Sequence, residues 1–156
     1  VKYRREATPA GTVGALRAAR GLLASEFLLV LGDVLPPKVG RIWERLVQVA
    51  QRTSAAAVMT TAAASQSMDQ GNIDVDADLV VSYDKSSPLP LIDRGTRYLR
   101  ADALDAFSGN DDDTFFGSMV PTRALAHLFV EGPVLDVGTP ERLQRVRSAL
   151  VGLHRA

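Results

Sequence analysis

The chain has 156 residues, of which 46% are hydrophobic, and its 18 basic and 18 acidic residues give a formal net charge of zero. This composition predicts one globular domain over residues 1–156 and argues against a nucleic-acid partner, because no basic excess would attract a polyanion. No apolar run approaches the ~20 residues of a membrane span, and the absence of cysteine fits a reducing compartment, so we expect a soluble, cytoplasmic protein with no membrane partner.

The N-terminal part of the chain predicts a helix and then a strand. The helix is expected to open at Gly11–Thr12, because Thr12 can cap it and apolar residues then recur at helical spacing. The apolar run Phe27–Leu31 follows and is typical of a strand that is buried on both faces of a parallel sheet. Asp33 comes directly after this run and is therefore expected at the carboxyl end of a strand.

The next segments predict a helix, a strand and a small hairpin. The helix is expected over about Val39–Arg52, and a second buried strand over Ala56–Thr61. Two buried strands joined by a helix favour a right-handed βαβ unit and hence the α/β class. Short strands near Asn72–Val75 and Leu79–Tyr83 then predict an antiparallel insertion.

The C-terminal part predicts helices around one further strand. A short helix is expected over Ala101–Phe107 and a longer one near Thr114–His127. The run Val134–Gly138 predicts a third strand, which contains Asp136. A last helix is expected to begin at Thr139–Glu141, where threonine at the N-cap, proline at the first helical position and an acid in the first turn agree.

Two aspartates, Asp33 and Asp136, are thus expected at the carboxyl ends of buried strands, where open parallel sheets place their ligand sites. Two carboxylates that converge there could hold Mg²⁺, which takes oxygen ligands and is usually completed by substrate phosphates. The alternative, that each aspartate only caps the following turn, stays open at this point.

Five motifs along the chain resemble those of sugar-1-phosphate nucleotidylyltransferases, and most closely the heptose- and mannose-1-phosphate guanylyltransferase branch. The runs Gly11–Arg17 and Leu29–Asp33 are similar to the family's G-T-A-G-A-L and L-N-G-D, and Asp84–Lys85 to its E-K-P. Ile92–Gly95 resembles the N-A-G turn, and Val134–Glu141 resembles the closing I-D-I-G-T-P-E. The resemblance implies a Rossmann-like nucleotide-diphospho-sugar transferase fold with a mostly parallel sheet and a small antiparallel insertion.

The same resemblance implies roles for individual residues on the nucleotide side. Asp33 and Asp136 would be catalytic and would hold Mg²⁺ against the triphosphate, while Gly11 and Thr12 would approach the nucleobase and ribose. The implied reaction transfers a nucleoside monophosphate from a nucleoside triphosphate to a sugar 1-phosphate and releases pyrophosphate. It proceeds by in-line attack at the α-phosphorus, through positioning and charge neutralisation.

On the sugar side, the resemblance implies that Lys85 is catalytic and pairs with the phosphate of the sugar 1-phosphate. Gly71, Asp84 and Gly95 would line the sugar pocket, with Asp84 accepting hydrogen bonds from hydroxyl groups. Lys85 is one of only three lysines in the chain, which makes a lysine here less typical of general surface composition.

The family's G-x-G-x-R loop, which cradles the triphosphate, has no match within the 156 residues. We therefore expect that the family's first strand–loop–helix unit is missing, and that the vacant strand position beside Phe27–Leu31 is a slot within the sheet. An upstream segment, a second chain or a symmetry partner is expected to fill it.

Two other functions stay open at the level of the sequence. The first is a non-catalytic remnant of the same fold that binds a nucleotide sugar or a partner protein. The second is a metal-dependent glycosyltransferase, although position 35 is leucine where a D-x-D motif beginning at Asp33 would need an acid.

Several conspicuous residues are interpreted as structural. The run Asp111–Asp113 is expected as the solvated start of a helix rather than a metal site, because acids favour the positive end of the helix dipole. Trp43 and Phe115–Phe116 are expected to pack in the core. His127 and His154 are assigned no role.

Overall fold

The structure is a computed structural model that describes residues 2–36 and 40–153. Its helices are α1 (Gly11–Ala18), α2 (Ile42–Thr53), α3 (Ala103–Ala106), α4 (Asp112–Met119) and α5 (Pro140–Leu153). Its strands are β1 (Glu26–Val30), β2 (Ala57–Ala63), β3 (Ile73–Asp76), β4 (Leu79–Tyr83), β5 (Leu91–Arg100) and β6 (Leu125–Phe129). No helix in the described residues is long and apolar enough to cross a membrane. Val39, where α2 was expected to begin, and His154 lie outside the described residues.

The six strands form one mixed sheet in the order β1-β5-β2-β6-β4-β3. β2 and β6 are parallel, whereas β5 runs antiparallel to both β1 and β2, and β4 runs antiparallel to β6 and to β3. The α/β class and the antiparallel β3–β4 insertion are confirmed. The expected mostly parallel sheet is wrong in detail, because β5 lies between β1 and β2 and separates two strands that run in the same direction.

Helices cover both faces of the central strands, which gives three layers. Met59 and Leu99 point to the face covered by α1, α3 and α4, where Phe116 is fully buried. Their neighbours Val58 and Tyr98 point to the opposite face, which is covered by α2. This alternation follows from the two-residue period of a strand. Each large side chain buried in this way stabilises the fold by about 1.5–3 kcal/mol.

The aromatic residues occupy the expected core positions. The rings of Phe115 and Phe116 meet edge to face with centroids 5.1 Å apart, and both side chains are fully buried. On the other face of the sheet, the Trp43 ring lies 5.6 Å from that of Tyr98. The interpretation of these side chains as core packing is confirmed.

Strand β1 lies at one end of the sheet and is not buried on both faces as expected. Its residues alternate between exposed and partly buried, and Leu28 and Val30 are 37% and 42% exposed. The reason is that no described strand pairs with its outer edge, and α2, which covers Val58 and Tyr98 on this face, does not extend over Leu28 and Val30. In the residues that the structure describes there is thus no slot within the sheet, and β1 is an edge strand.

The segment after α4 differs from the expected helix over Thr114–His127. The α-helix ends at Met119, Arg123 has a left-handed φ of 58°, and β6 begins two residues later. Leu125–Phe129 is a strand because it pairs along its whole length with the buried strand β2. Tertiary pairing therefore overrides a composition that is also compatible with a helix.

The third strand expected over Val134–Gly138 is also absent from the described sheet. This segment is irregular apart from one isolated antiparallel bridge between Val34 and Asp136. β2 pairs with β5 on one side and with β6 on the other, so neither of its edges is open to a further strand. The predicted start of α5 is confirmed, because Pro140 is its first residue and the Thr139 hydroxyl accepts a hydrogen bond from the Arg142 backbone N–H at 3.2 Å.

Candidate functional site

A cleft of about 570 Å³ opens where β1 ends, and its wall is rich in charged side chains. Carboxylates on this wall belong to Asp33, Asp69, Asp93, Asp112 and Asp136, and the cations to Lys85, Arg97 and Arg142. Five acids and three bases give the wall a formal charge of −2. A cleft of this sign attracts cations and needs added positive charge before it can take a polyphosphate.

Backbone hydrogen bonds bring the segments of Asp33 and Asp136 side by side. The Val137 N–H donates to the Asp33 carbonyl at 2.8 Å, and the Leu35 N–H donates to the Leu135 carbonyl at 2.8 Å. Both aspartates line the cleft, Asp33 in the loop after β1 and Asp136 four residues before α5. The structure thus joins the two aspartates, although Asp136 is carried by an isolated bridge and not by a regular strand.

Arg142 connects Asp136 to a second acid on the cleft wall. Its Nη1 donates to Asp136 Oδ1 at 3.0 Å, and its Nη2 donates to Asp69 Oδ1. The hydrogen bonds that Arg142 donates to Asp69 and Asp136 raise the pKa of Arg142, so the guanidinium stays charged. The side chains are 15%, 24% and 49% exposed for Asp136, Arg142 and Asp69. We call this arrangement the exposed bridge.

A similar arrangement lies deeper in the cleft. Arg97 donates from Nε to Asp93 Oδ2 at 2.8 Å, its Nη1 lies 2.8 Å from Asp112 Oδ2, and its side chain is only 3% exposed. The guanidinium also lies over the Phe116 ring, 4.6 Å from the centroid. Burial alone lowers the pKa of Arg97, but Asp93 and Asp112 outweigh it and raise the pKa. We call this arrangement the buried bridge.

Tyr83 lies on the cleft wall near the buried bridge. Its burial, followed by the charge of Asp93, raises the pKa of the Tyr83 hydroxyl above its usual range. The phenol therefore stays protonated at neutral pH and can donate a hydrogen bond to a ligand.

Lys85 lines the same cleft as the two aspartates. Its Nζ lies 2.8 Å from Asp113 Oδ1, and the side chains are 62% and 49% exposed. An exposed pair of this kind contributes about 0–1 kcal/mol and can exchange its partner. Lys85 is thus positioned where an incoming anion can replace the carboxylate.

The acidic run Asp111–Asp113 divides into three roles. Asp111 is the N-cap of α4, since its Oδ1 accepts from the Thr114 N–H at 2.9 Å. Asp112 and Asp113 instead pair with Arg97 and Lys85. The expected helix start is confirmed, but the expectation that all three acids are solvated is wrong for Asp112, whose side chain is 19% exposed.

Gly11 and Thr12, the expected nucleotide-binding residues, lie at the start of α1 and do not line the cleft. Gly11 has a φ of 77°, and a Cβ there would lie 2.6 Å from the Asn110 carbonyl oxygen. That carbonyl accepts from the Val13 N–H at 3.0 Å. The glycine thus allows α1 to dock on the loop before α4, and Thr12 lies within the helix and is not its N-cap.

The three residues expected in the sugar pocket lie around the cleft and are not on its wall. Gly71 is buried against Leu89, where a Cβ would lie 2.0 Å from the carbonyl oxygen. Gly95 has a φ of 69°, and a Cβ there would lie 3.0 Å from Val34 Cγ2. Asp84 is exposed, and hydrogen bonds from the Ser86 N–H and hydroxyl lower its pKa.

Mg²⁺ fits the chemistry of the donors near Asp33 and Asp136. In the described residues no three acidic, histidine or cysteine side chains cluster into a complete metal cage. Mg²⁺ does not need one, because proteins commonly hold it by one or two carboxylates together with waters and substrate phosphates. At Asp136, the described hydrogen bonds reach Oδ1 and leave Oδ2 for such a ligand.

Several residues around the site were not found from the sequence. Arg97 lies four residues after Asp93 on β5, so the two share one face of the strand, and this even spacing of opposite charges is the signal that could have found the pair. Arg94 is buried and donates to the carbonyls of Val130 at 3.1 Å and Gly132 at 2.7 Å. Arg94 thereby holds the loop that leads to Asp136, and no local sequence pattern identifies this contact.

His127 on β6 has a structural role, because it contacts the turn between β3 and β4. Its Nε2 lies 2.9 Å from the Ala77 carbonyl oxygen and its Nδ1 lies 2.9 Å from the Thr61 hydroxyl. A carbonyl can only accept, so Nε2 carries the hydrogen. Both ring nitrogens are satisfied by the fold, which agrees with assigning this histidine no role in the site.

Comparison with known proteins finds structural neighbours only. No family model matches the chain, and no curated protein sequence matches it. HddC from Yersinia pseudotuberculosis matches 93% of the chain with a TM-score of 0.66 and 18% identity. A putative glucose-1-phosphate thymidylyltransferase from Bacillus anthracis matches 95% with a TM-score of 0.77 and 14% identity. An apo UDP-glucose pyrophosphorylase matches 98% with a TM-score of 0.69 and 12% identity.

The chain shares the fold of these proteins. It spans 64% of the length of each of them. At 12–18% identity this similarity shows the fold, and the chemistry of the site depends on the residues of this chain.

Proposed function

We propose that this chain carries the catalytic cleft of a nucleotidyltransferase that joins a nucleoside monophosphate, taken from a nucleoside triphosphate, to a sugar 1-phosphate. The products are a nucleotide sugar and pyrophosphate. The observation that carries the proposal is the backbone pairing that joins the Asp33 and Asp136 segments in a cleft that also contains Lys85. The shared fold with a protein named as a glucose-1-phosphate thymidylyltransferase supports it.

Asp33 and Asp136 would hold Mg²⁺ in this cleft. When bound, the ion supplies positive charge to the α-phosphate, where negative charge develops in the transition state. The formal charge of −2 on the cleft wall makes the protein suited to such a cation. The aspartates themselves orient the cation and take no part in proton transfer.

Lys85 would bind the phosphate of the sugar 1-phosphate. Because its present partner Asp113 is half exposed, a phosphate can replace that carboxylate at little cost. The sugar phosphate is already ionised at neutral pH, so its oxygen can attack the α-phosphorus without a general base. Lys85 then acts by holding the attacking oxygen in line with the leaving pyrophosphate.

The roles of Gly11 and Thr12 toward the nucleotide, and of Gly71, Asp84 and Gly95 toward the sugar, stay predictions. In the described structure these residues lie around the cleft rather than on its wall. Gly71 lies between the wall residues Gln70 and Asn72, and a Cβ at Gly95 would lie 3.0 Å from the wall residue Val34.

The proposal includes a contribution from outside the 156 residues. The structural neighbours are longer than this chain, and among the described residues no strand pairs with the outer edge of β1, where Leu28 and Val30 are exposed. Such an edge can recruit a further strand. We propose that an upstream segment, a second chain or another copy covers this edge and supplies the cation that binds the triphosphate.

A second candidate function is non-catalytic binding of a nucleotide sugar or a partner protein on the same fold. One observation favours it: each cation on the described cleft wall is already paired with a carboxylate. A cleft with its cations neutralised in this way provides little transition-state stabilisation for a triphosphate.

The test is pyrophosphate release by the longest polypeptide that the gene encodes, assayed with Mg²⁺ against a panel of nucleoside triphosphates and sugar 1-phosphates. We expect release with at least one pair of substrates. The Asp33→Asn variant is expected to lose about 10³-fold in kcat while it keeps its thermal transition. Binding of a nucleotide sugar without turnover of any pair would support the second candidate instead.

A further inference from the structure

Arg142 has contacts that the proposed reaction does not use. It lies in the first turn of α5, where its own N–H is capped by Thr139, and its guanidinium reaches back to Asp136 and across to Asp69. Asp69 lies in the loop before β3, so Arg142 ties three separate segments of the cleft wall together. An arginine can do this because its planar guanidinium presents two donors in a fixed geometry.

The contacts of Asp136 show what this tie does. Its Oδ1 accepts from Arg142 Nη1 at 3.0 Å and from the Gly138 N–H at 3.2 Å, so both described donors approach the same oxygen. The carboxylate is thereby fixed in direction, with Oδ2 left for another partner. Asp69 in turn holds the guanidinium of Arg142, because it accepts a hydrogen bond from the other terminal nitrogen, Nη2.

We propose that Arg142 is a positioning residue of the cation site: by bridging Asp136 and Asp69 it holds the Asp136 carboxylate with one oxygen directed at the cation. This inference rests on the proposed function for the identity of Asp136 as a metal ligand. The proposed function assigns no role to Arg142, and the inference adds this residue and its positioning of the Asp136 carboxylate.

The positioning role and a simple charge effect predict opposite results. If Arg142 acted only through its charge, its removal would make the cleft more negative and would tighten cation binding. If Arg142 positions Asp136, the loss of the guanidinium bridge weakens cation binding even where the positive charge is kept. Arg142→Lys separates the two, because lysine keeps the charge but is a point donor that cannot bridge two carboxylates in fixed geometry.

The experiment titrates the protein with Mn²⁺, an oxygen-preferring substitute for Mg²⁺, and follows the free Mn²⁺ signal by electron paramagnetic resonance. We expect Arg142→Lys to raise the Kd for Mn²⁺ about tenfold, which corresponds to about 1.4 kcal/mol. Asp69→Ala removes the outer contact of the bridge together with one acid of the cleft wall, and it should raise the Kd by a smaller factor than Arg142→Lys, whereas a charge effect alone predicts the reverse order. Arg147→Lys, an exposed arginine of the same helix, is the matched control and should leave the Kd unchanged.

Unchanged or tighter Mn²⁺ binding in Arg142→Lys would overturn the proposal, as would a wild-type protein that does not bind Mn²⁺. Arg142→Met keeps the test informative if Arg142→Lys loses stability, because the loss of the positive charge alone would tighten binding, whereas the positioning role predicts a raised Kd. The failure of the proposed function can be distinguished from the failure of the positioning role. Weakened Mn²⁺ binding without pyrophosphate release would leave the positioning role in place, whereas pyrophosphate release with unchanged Mn²⁺ binding in both variants would leave only the function.

Discussion

The cleft contains two bridges of the same composition, each an arginine between two aspartates, in different surroundings. In the buried bridge, Arg97 is 3% exposed and lies over an aromatic ring, whereas Arg142 of the exposed bridge is 24% exposed at the cleft rim. Charges removed from water must stay paired, whereas charges near solvent can exchange partners. The buried bridge therefore fixes the shape of the cleft, whereas the exposed bridge lies where a bound ligand can contact it.

Removing the arginine from each bridge should give the largest contrast. Arg97→Met leaves Asp93 and Asp112 largely buried without their partner, and we expect it to lower the free energy of unfolding by about 3–5 kcal/mol. Arg142→Met leaves Asp69 half exposed and Asp136 15% exposed but still held by the Gly138 N–H, and should cost less, about 1–2 kcal/mol. Urea denaturation of both variants measures the difference, and equal losses would remove the distinction between the bridges.

A substitution at Gly95 should reveal how the two bridges are connected. The Gly95 N–H donates to Asp93 of the buried bridge, and a Cβ at Gly95 would meet Val34, which pairs with Asp136 of the exposed bridge. Gly95→Ala adds a Cβ 3.0 Å from Val34 Cγ2 at a φ of 69°, so we expect a loss of about 1–3 kcal/mol.

The control is Gly117→Ala, a helical glycine of α4 with no atom within 4 Å of an added Cβ. It should be neutral or stabilise the protein by up to about 1 kcal/mol, because alanine favours the helix. Thermal melting of the two variants gives the comparison. A Gly95→Ala protein as stable as Gly117→Ala would show that the close approach of β5 to the Val34 loop is not required.

Lys85 should behave as an exposed and exchangeable cation. Lys85→Ala is expected to raise KM for the sugar 1-phosphate about tenfold, or about 1.4 kcal/mol, with a much smaller effect on KM for the nucleoside triphosphate. Steady-state kinetics with each substrate varied in turn measures this split. A loss confined to the triphosphate would assign Lys85 to the other ligand.

The smallest effect is expected at an ion pair outside the cleft. Arg52 donates from Nε to Asp78 at 2.5 Å, and this hydrogen bond lowers the pKa of Asp78. Its contribution is present above the unfolded pKa of about 4 and is lost as the pH falls through the lower folded value. Asp78→Asn should cost under about 1 kcal/mol at pH 7 and nothing once Asp78 is protonated. Thermal melting at neutral and acid pH checks this, and a difference that persists in acid would contradict it.

The sequence predicted the elements whose signals are local. The β3–β4 hairpin follows from alternation between turn residues, and the start of α5 follows from Thr139 and Pro140. The helix predicted over Thr114–His127 included the first three residues of β6; Leu125–Phe129 contains no β-branched residue, and its pairing with β2 makes it a strand.

The candidate site was predictable only where single residues fall in motifs. Asp33, Lys85 and Asp136 were found in this way, and the cleft contains all three. The exposed bridge escaped prediction because it joins different segments, with Asp69 and Arg142 73 positions apart. In the buried bridge only the Asp93–Arg97 pair has a local signal, because Asp112 comes from α4. The exposure of every second residue of β1 was not predicted either, because burial depends on whether a neighbouring layer covers the strand.

The most direct test of the central claim is a crystal structure of the protein grown with Mn²⁺ and a non-hydrolysable nucleoside triphosphate. We expect an anomalous scattering peak about 2 Å from carboxylate oxygens of both Asp33 and Asp136, with the α-phosphate beside it. A peak held by other residues, such as Asp111–Asp113, or no peak in the cleft while the nucleotide is bound, would contradict the account.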